Sequence, residues 1–242
     1  MTERFLIFKT SFDRLYLSKS SIQKEVFDKM KNKRIKLSAV GISLVAAFAL
    51  WTWLLCFVDV KPIGPLGSSV GFATLNGAFH SLTGANMTLY NVTDWLGLVP
   101  IAVAFCFAVS GLCQWIKRGH ILKVDRSILV LGVFYLAVIA VYVLFEFVVI
   151  NRRPVLIEGF LEASYPSSTT MLVTCVMPTA AAQLESRIKS KTVCRCVIIA
   201  IWAFVAFMVI GRLISGVHWI TDIIGGLLIS AGLVSMYYAF EK

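Results

Sequence analysis

The stretch Gly211–Asp222 holds the most concentrated chemistry in this sequence. It places an arginine, a histidine and an aspartate between two long apolar runs, where a charged side chain is costly. His218 and Asp222 are four residues apart, so on a helix they would share one face. Asp222 would then accept a hydrogen bond from one ring nitrogen of His218 and leave the other nitrogen free as a nucleophile. Arg212 would hold an anion beside this pair, although a helix cap with a polar contact is the simpler interpretation of the pair alone.

The composition indicates a membrane protein. Of the 242 residues, 58% are hydrophobic and 15% are charged, whereas soluble domains are about half apolar and about a quarter charged. The net charge of +10 is concentrated in short segments between apolar runs, as is typical of cytoplasmic loops that face anionic lipid. We therefore expect anionic lipid at the cytoplasmic face, and no nucleic-acid partner. The six cysteines lie in or beside apolar runs and indicate neither a disulfide framework nor a zinc site.

The apolar runs predict six membrane-spanning helices. Their approximate limits are 37–58, 95–115, 127–150, 167–184, 196–210 and 217–240. Six spans place both termini on one side of the membrane, and the lysine- and arginine-rich segments assign that side to the cytoplasm. The prediction is an all-α polytopic membrane domain over 37–242. It is preceded by a basic segment, 1–36, that is either an amphipathic helix on the inner membrane surface or a flexible tail.

This topology brings four polar residues to the outer ends of spans three to six: Arg153, Ser167, Arg212 and His218. Two arginines, a hydroxyl at a helix N-terminus and an oriented histidine form a site for a tetrahedral oxyanion. The predicted chemistry is phosphoryl transfer. His218 attacks phosphorus, Asp222 stabilises the imidazolium, the arginines neutralise the phosphoryl oxygens, and water hydrolyses the phosphohistidine. The outer acidic residues are too scattered for a magnesium cluster, so neither a metal nor another cofactor is implied.

These residues resemble the motifs of the type 2 phosphatidic-acid phosphatase family, membrane enzymes related to the vanadium haloperoxidases. The third family motif is Ser-Arg, five residues, His, three residues, Asp, and the stretch 211–222 matches it except for Gly211 in place of serine. The second motif is Pro-Ser-Gly-His, and 166–169 reads Pro-Ser-Ser-Thr. The first motif is Lys, six residues, Arg-Pro. Arg153 and Pro154 match it, and Glu146 stands at the lysine position.

The resemblance extends over about residues 95–240 and implies the helical fold of that family, with hydrolysis of a membrane lipid phosphate or pyrophosphate. It implies that His218 is the nucleophile and Asp222 its partner. It also implies a phosphate-binding set made of Arg153, Ser167, Ser168 and Arg212.

The departures from the motifs bear on the substrate. Thr169 stands where the family has the histidine that protonates the leaving group, and such acids contribute ~10²–10⁴-fold. A pyrophosphate needs less protonation, because a phosphate ester leaves more readily than an alkoxide, so polyprenyl pyrophosphate is favoured. The possible substitutes for this acid are Thr169 itself and His80 in the first outer loop, and in a second alternative His80 supplies the proton. In a third, the protein is catalytically impaired and binds a lipid phosphate as a sensor, scaffold or transporter, against which the intact His218 and Asp222 argue.

Overall fold

The computed structural model describes the backbone of residues 2–241 and the side-chain surroundings of residues 24, 25 and 27–241. Over this range the chain forms eight α-helices, with isolated β-bridges and no strand. The helices are α1 Thr2–Phe57, α2 Ala73–Thr83, α3 Met87–Leu96, α4 Leu98–Arg118, α5 Arg126–Phe147, α6 Ser168–Glu185, α7 Lys191–Ile214 and α8 Ile220–Phe240. The predicted all-α class is confirmed.

Within the described residues, five segments are long and apolar enough to cross a membrane: Phe27–Phe57, Met87–Arg118, Arg126–Phe147, Lys191–Ile214 and Ile220–Phe240. The second of them joins α3 to α4, because Gly97 between the two keeps helical dihedral angles (φ −60°, ψ −19°). The remaining predicted span is α6, in which 11 of 18 residues are buried. It lies inside the bundle against α4, α5, α7 and α8. The predicted six-helix architecture is thus confirmed, with α6 at its centre.

The first helix, α1, passes from the basic segment into the first span without a break. Its 56 residues correspond to about 84 Å at about 1.5 Å per residue. Its apolar part packs along α8, where a Cβ atom on Gly41 would lie 3.0 Å from the carbonyl oxygen of Gly232. Small residues at this crossing therefore allow the two helices to approach closely. The side chains of 1–23, on which the amphipathic prediction depends, lie outside the described residues, so that prediction stays untested.

Aromatic side chains fix the chain just before α6. The ring of Tyr165 stacks on Phe48, with centroids 6.0 Å apart and planes 4° apart, and meets Phe145 edge-on at 5.7 Å. Its hydroxyl is hydrogen-bonded to Thr52 at 2.7 Å. Gly225 leaves room for the ring, since a Cβ atom there would lie 2.4 Å from Cε2 of Tyr165. The start of α6 is therefore held against both α1 and α8.

The segment between α5 and α6 folds back on itself. An antiparallel bridge joins Arg152 to Ala163, and next to it the amide of Ser164 donates a hydrogen bond to the carbonyl of Asn151 at 2.9 Å. This pairing brings Asn151, Arg153 and Ser164 close together although they are up to thirteen residues apart in the chain.

The connection between α7 and α8 is shorter than predicted. Helix α7 continues to Ile214, so Arg212 lies in its last turn and not in a loop that begins at Gly211. The chain reverses at Gly216, whose φ of +65° favours glycine. A Cβ atom at Gly216 would also lie 1.7 Å from the carbonyl oxygen of Gly84, so the turn packs directly against the loop after α2.

Helix α8 begins later than predicted. Its first residue is Ile220, so His218 precedes the helix while Asp222 lies in its first turn. The prediction that His218 and Asp222 share one helical face is therefore wrong. Asp222 accepts a hydrogen bond from the amide of Trp219 and so caps α8. His218 lies before this cap, outside the helix.

Candidate active site

His218 lies buried in the connection before α8, with 3% of its surface exposed. Its Nδ1 lies 3.1 Å from the carbonyl oxygen of Ser164. Because a carbonyl can only accept, Nδ1 carries the hydrogen, and in the neutral ring the lone pair is on Nε2. Among the described residues this Nε2 has no hydrogen-bond partner. The ring lines a cavity of about 520 Å³, which is the arrangement that a nucleophilic histidine needs.

The surroundings of His218 favour its neutral form. Burial lowers the pKa of His218 well below its usual value of 6.5, and the positive charges of Arg153 and Arg212 lower it further. The hydrogen bond to Ser164 opposes these effects without outweighing them. A lowered pKa keeps the imidazole uncharged at neutral pH, and only the uncharged ring has a lone pair with which to attack.

Asp222 lies behind the imidazole and is fully buried. Its Oδ2 accepts from the amide of Trp219 at 3.0 Å, and its Oδ1 accepts from the side-chain amide of Asn151 at 3.2 Å. The separation of 3.8 Å between Oδ2 and Nδ1 of His218 exceeds a hydrogen bond. Among the described contacts, the expected hydrogen bond between Asp222 and His218 is therefore absent, and Nδ1 of His218 donates to the Ser164 carbonyl instead. At 3.8 Å the carboxylate still lies close enough to stabilise an imidazolium electrostatically.

Arg153 lines the same cavity and is 8% exposed. Its Nε lies 3.0 Å from Oε2 of Glu162, an ion pair that lacks the geometry of a hydrogen bond. Within the part of the chain that the structure describes, Nε and Nη1 have no hydrogen-bond partner. The guanidinium therefore keeps donors that an anion in the cavity can use.

The N-terminus of α6 contributes further donors. Ser168, its first residue, lines the cavity. The amides of a first helical turn have no carbonyl partner within their helix, and the dipole is positive at this end. The amide of Ser167 is already used, since it donates to the carbonyl of Asp222 at 3.1 Å. The buried Ser167 hydroxyl has no partner among the described atoms.

Arg212 lies behind this cavity and is not one of the residues that line it. Only 1% of Arg212 is exposed. Its Nη2 donates to Oγ1 of Thr169 at 2.8 Å and lies 3.3 Å from Oδ1 of Asp94. Its Nη1 lies 3.4 Å from Oγ1 of Thr93. In this conformation the guanidinium is held by the protein itself, and of the described contacts only Nε lacks a partner.

Tyr90 in α3 connects the two arginines. Its ring centroid lies 4.9 Å from Cζ of Arg212 and 5.7 Å from Cζ of Arg153, both within cation–π distance. Sequence reasoning identified neither Tyr90 nor Asp94 as part of this site. No local pattern links α3 to the last turn of α7, since Asp94 and Arg212 are 118 residues apart.

The two proposed substitutes for the missing general acid do not line the cavity. The Thr169 hydroxyl accepts a hydrogen bond from Arg212. His80 packs edge-on against Trp219, with ring centroids 5.5 Å apart, and burial lowers the pKa of His80. A lowered pKa leaves His80 without the extra proton that a general acid must give.

Glu146, in contrast, lines the cavity together with Arg152 and Arg153. A carboxylate therefore stands where the family motif has a lysine, and it faces the same space as the proposed phosphate ligands. It repels any anionic group that approaches this part of the wall.

The cavity wall also includes apolar side chains. Helix α5 contributes Tyr142 and Phe145, the following residues contribute Val149, and α6 contributes Met171. Charged, polar and apolar side chains together line this cavity, and such a lining suits an amphiphile with an anionic headgroup.

Asn151 and Ser164 are two further residues of this site that sequence reasoning missed. The Oδ1 of Asn151 accepts from the amide of Gly71 at 3.3 Å while its Nδ2 donates to Asp222, so one side chain ties the first outer loop to α8. Ser164 acts through its carbonyl. A backbone carbonyl that accepts a hydrogen bond cannot be recognised from the residue type. Asn151, in contrast, is a polar residue directly before two consecutive arginines, and this position was a signal that could have identified it.

The fold defines a class, the polytopic helical membrane proteins. No family model and no curated protein sequence matches the chain. Among solved structures, it is similar to the crystal structure of a transmembrane PAP2 type phosphatidylglycerolphosphate phosphatase from Bacillus subtilis. The two share 20% sequence identity over 82% of this chain and 93% of that chain, with a TM-score of 0.50. The resemblance predicted from the motifs is thus confirmed at the level of the fold.

Proposed function

We propose that the protein is a membrane phosphatase that removes phosphate from a lipid phosphate or pyrophosphate through a phosphohistidine, without a metal ion. The observation that carries this proposal is the ring of His218, which is buried, kept neutral and fixed at Nδ1 by Ser164. Its Nε2 has no hydrogen-bond partner among the described residues, and His218 lines a cavity together with Arg153. The fold of a membrane lipid phosphatase supports the same reaction class.

The proposed reaction has two steps. In the first, Nε2 of His218 bonds to phosphorus while the bond from phosphorus to the leaving oxygen breaks. Arg153 and the amides of the first turn of α6 stabilise the charge on the equatorial oxygens. The resulting positive charge on the ring is stabilised by the Asp222 carboxylate 3.8 Å away. In the second step water attacks phosphorus, the bond to nitrogen breaks, and inorganic phosphate leaves with His218 restored.

The leaving group favours polyprenyl pyrophosphate as the substrate. Neither Thr169 nor His80 is placed to protonate an alkoxide in the cavity, and a general acid typically contributes ~10²–10⁴-fold. A pyrophosphate releases a phosphate ester that requires no such proton. The apolar wall from α5 is suited to the first carbons of an isoprenoid chain.

We propose further that the site faces outward and that both termini are cytoplasmic. The cavity is lined by the end of α5 and the start of α6, whereas basic residues cluster at the opposite end of the bundle. The positive-inside rule then assigns the His218 end to the outer face.

Phosphate release by the full-length protein in detergent tests this function. Polyprenyl pyrophosphate and phosphatidic acid are offered in parallel to the parent protein, to His218→Ala and to His80→Ala. We expect release from the pyrophosphate, its loss in His218→Ala, and little change in His80→Ala, which removes an imidazole outside the cavity. Persistent activity in a folded His218→Ala protein contradicts the mechanism. Equal release of phosphate from both lipids contradicts the argument that the leaving group favours a pyrophosphate substrate.

The second candidate function is binding of a lipid phosphate without turnover. Two observations favour it, the carboxylate of Glu146 on the cavity wall and the engagement of Arg212 with Thr169 and Asp94. No release from either lipid, together with saturable binding of phosphatidic acid that Arg153→Gln weakens, selects this candidate over the phosphatase.

A further inference from the structure

A second cavity of about 710 Å³ lies at the opposite end of the bundle from His218. Four basic side chains line it: Lys31, Lys33, Arg34 and Arg126. Arg126 is the first residue of α5 and Glu185, another lining residue, is the last of α6, so this cavity and the His218 cavity lie at the two ends of the same helices. We infer that this cavity, the basic groove, binds the phosphate headgroup of an anionic membrane lipid.

The charge in the basic groove is unbalanced. Four basic groups face two carboxylates, Glu185 and Glu241, which leaves an excess of two positive charges (4 − 2). Among the described side chains, none of the four basic groups forms an ion pair; the ion pairs that do form involve other residues. Arg34 is positioned by the ring of Phe240, 4.4 Å from its Cζ. A bound anion therefore gains the attraction of charges that no acidic side chain has neutralised.

Apolar side chains make this a lipid site and not a site for a free anion. Phe27, Met30 and Leu37 of α1 line the basic groove together with Tyr238 of α8. Phe27 is 66% exposed and Met30 53%, so both are open to hydrocarbon chains beside the charges. Such a wall matches a headgroup with acyl chains attached, whereas inorganic phosphate gains nothing from it.

The length of α1 places the basic groove at headgroup depth. The apolar segment Phe27–Phe57 has 31 residues, about 46 Å of helix, against about 30 Å for the hydrocarbon core. Because the segment stays apolar to its end at Phe57, the excess falls at its start. That puts residues 27–37 in the cytoplasmic headgroup layer, where basic pockets between helices bind anionic lipids.

Binding of short-chain lipids to the full-length protein in detergent tests this inference. Native mass spectrometry would compare dioctanoyl phosphatidylglycerol with dioctanoyl phosphatidylcholine, and inorganic phosphate would be added as a competitor. The His218→Ala background keeps turnover out of the measurement. We expect clear preference for the anionic lipid, and no displacement by equimolar inorganic phosphate.

Two triple variants with the same change of charge provide the comparison. Lys31→Gln/Lys33→Gln/Arg34→Gln should weaken phosphatidylglycerol binding at least about tenfold. Lys117→Gln/Lys189→Gln/Lys191→Gln, at the same end of the bundle but outside the basic groove, should leave it unchanged.

A gain of binding excludes misfolding as the cause. Glu185→Gln/Glu241→Gln removes the opposing carboxylates and should strengthen phosphatidylglycerol binding severalfold. Equal loss in both triple variants, equal affinity for the zwitterionic lipid, or full competition by inorganic phosphate overturns the inference. None of these binding measurements depends on phosphatase activity. The proposed function can therefore fail while lipid binding in the basic groove is supported, and lipid binding can fail while the proposed function is supported.

Discussion

Nδ1 of His218 donates a hydrogen bond to the backbone carbonyl of Ser164 at 3.1 Å, and this contact sets the tautomer of the proposed nucleophile. Ser164 belongs to the folded segment between α5 and α6, the segment that also carries Arg153. One loop therefore both orients the ring of His218 and carries Arg153, the proposed phosphate ligand. The Asp222 carboxylate lies 3.8 Å from Nδ1 and caps α8, and in the proposed mechanism it acts through its charge.

Removal of the Arg153 charge should move the pH dependence of catalysis. The charge of Arg153 is the second of the causes, after burial, that lower the pKa of His218, so Arg153→Gln should raise that pKa. The neutral, reactive imidazole exists above its pKa. The acidic limb of kcat/KM should therefore lie well below pH 6.5 in the parent and shift upward in the variant.

Arg152→Gln is the matched control for this shift. Arg152 also lines the cavity, but its guanidinium donates to the carbonyl of Leu161 at 2.9 Å and does not contribute to the lowered pKa of His218. The control should move the acidic limb less than Arg153→Gln does. An equal shift in both variants would mean that charge at the cavity in general, and not Arg153, sets the pKa of His218.

Asn151 should matter for catalysis although it lies behind the nucleophile. Its side-chain amide donates to Asp222 at 3.2 Å, and Asn151→Ala leaves that buried carboxylate oxygen without this donor. A buried acceptor that loses its partner costs about 1–3 kcal/mol. We expect kcat to fall about tenfold with a smaller change in KM. Asn91→Ala, an exposed asparagine of α3, is the control, and an unchanged kcat in Asn151→Ala refutes the positioning role.

Thr169→His should restore protonation of poor leaving groups. The threonine hydroxyl accepts from Arg212 at 2.8 Å, and Thr169 lies in the first turn of α6, at the family position of the general acid. The variant should gain more on phosphatidic acid than on polyprenyl pyrophosphate, because only the alkoxide leaving group needs the proton. Thr169→Val, which removes the contact with Arg212 without adding an acid, should gain on neither. Equal gains on both substrates contradict our interpretation of this position.

Vanadate should inhibit, and a chelator should not. Vanadate adopts the five-coordinate geometry of phosphorus under attack by His218, and transition-state analogues bind about 10²–10⁸-fold more tightly than substrates. Phosphate release measured with vanadate, and separately after dialysis against EDTA, checks both expectations. Loss of activity with EDTA that added magnesium restores would disprove the metal-free mechanism.

Gly216→Ala should destabilise the protein. The residue has φ +65°, and a Cβ atom there would lie 1.7 Å from the carbonyl oxygen of Gly84. A side chain must displace the turn that precedes His218, so we expect a loss of more than about 1 kcal/mol and a lower midpoint of thermal unfolding. Gly132→Ala in α5 meets no atom within 4 Å among the described residues. It should be neutral or stabilise by up to about 1 kcal/mol.

The sequence predicted the helical membrane fold and the residue types of the candidate site. Apolar runs of bilayer length predict helices directly, because a backbone surrounded by lipid has to form its hydrogen bonds within the chain. Helix ends were less well predicted. Arg212 lies inside α7 and His218 outside α8, because both ends depend on the turn at Gly216, which packs against a loop more than a hundred residues earlier.

What the sequence by itself determined is therefore the set of helices and the local motif that carries His218 and Asp222. Only the tertiary structure decided how these side chains are used. In the structure, Nδ1 of His218 donates to the Ser164 carbonyl. Asp222 accepts from Asn151 and Trp219, and Arg212 contacts Thr169 and Asp94. The physical reason is that hydrogen bonds of buried polar groups are met by whichever partner packing brings near, and such partners lie far away in the chain.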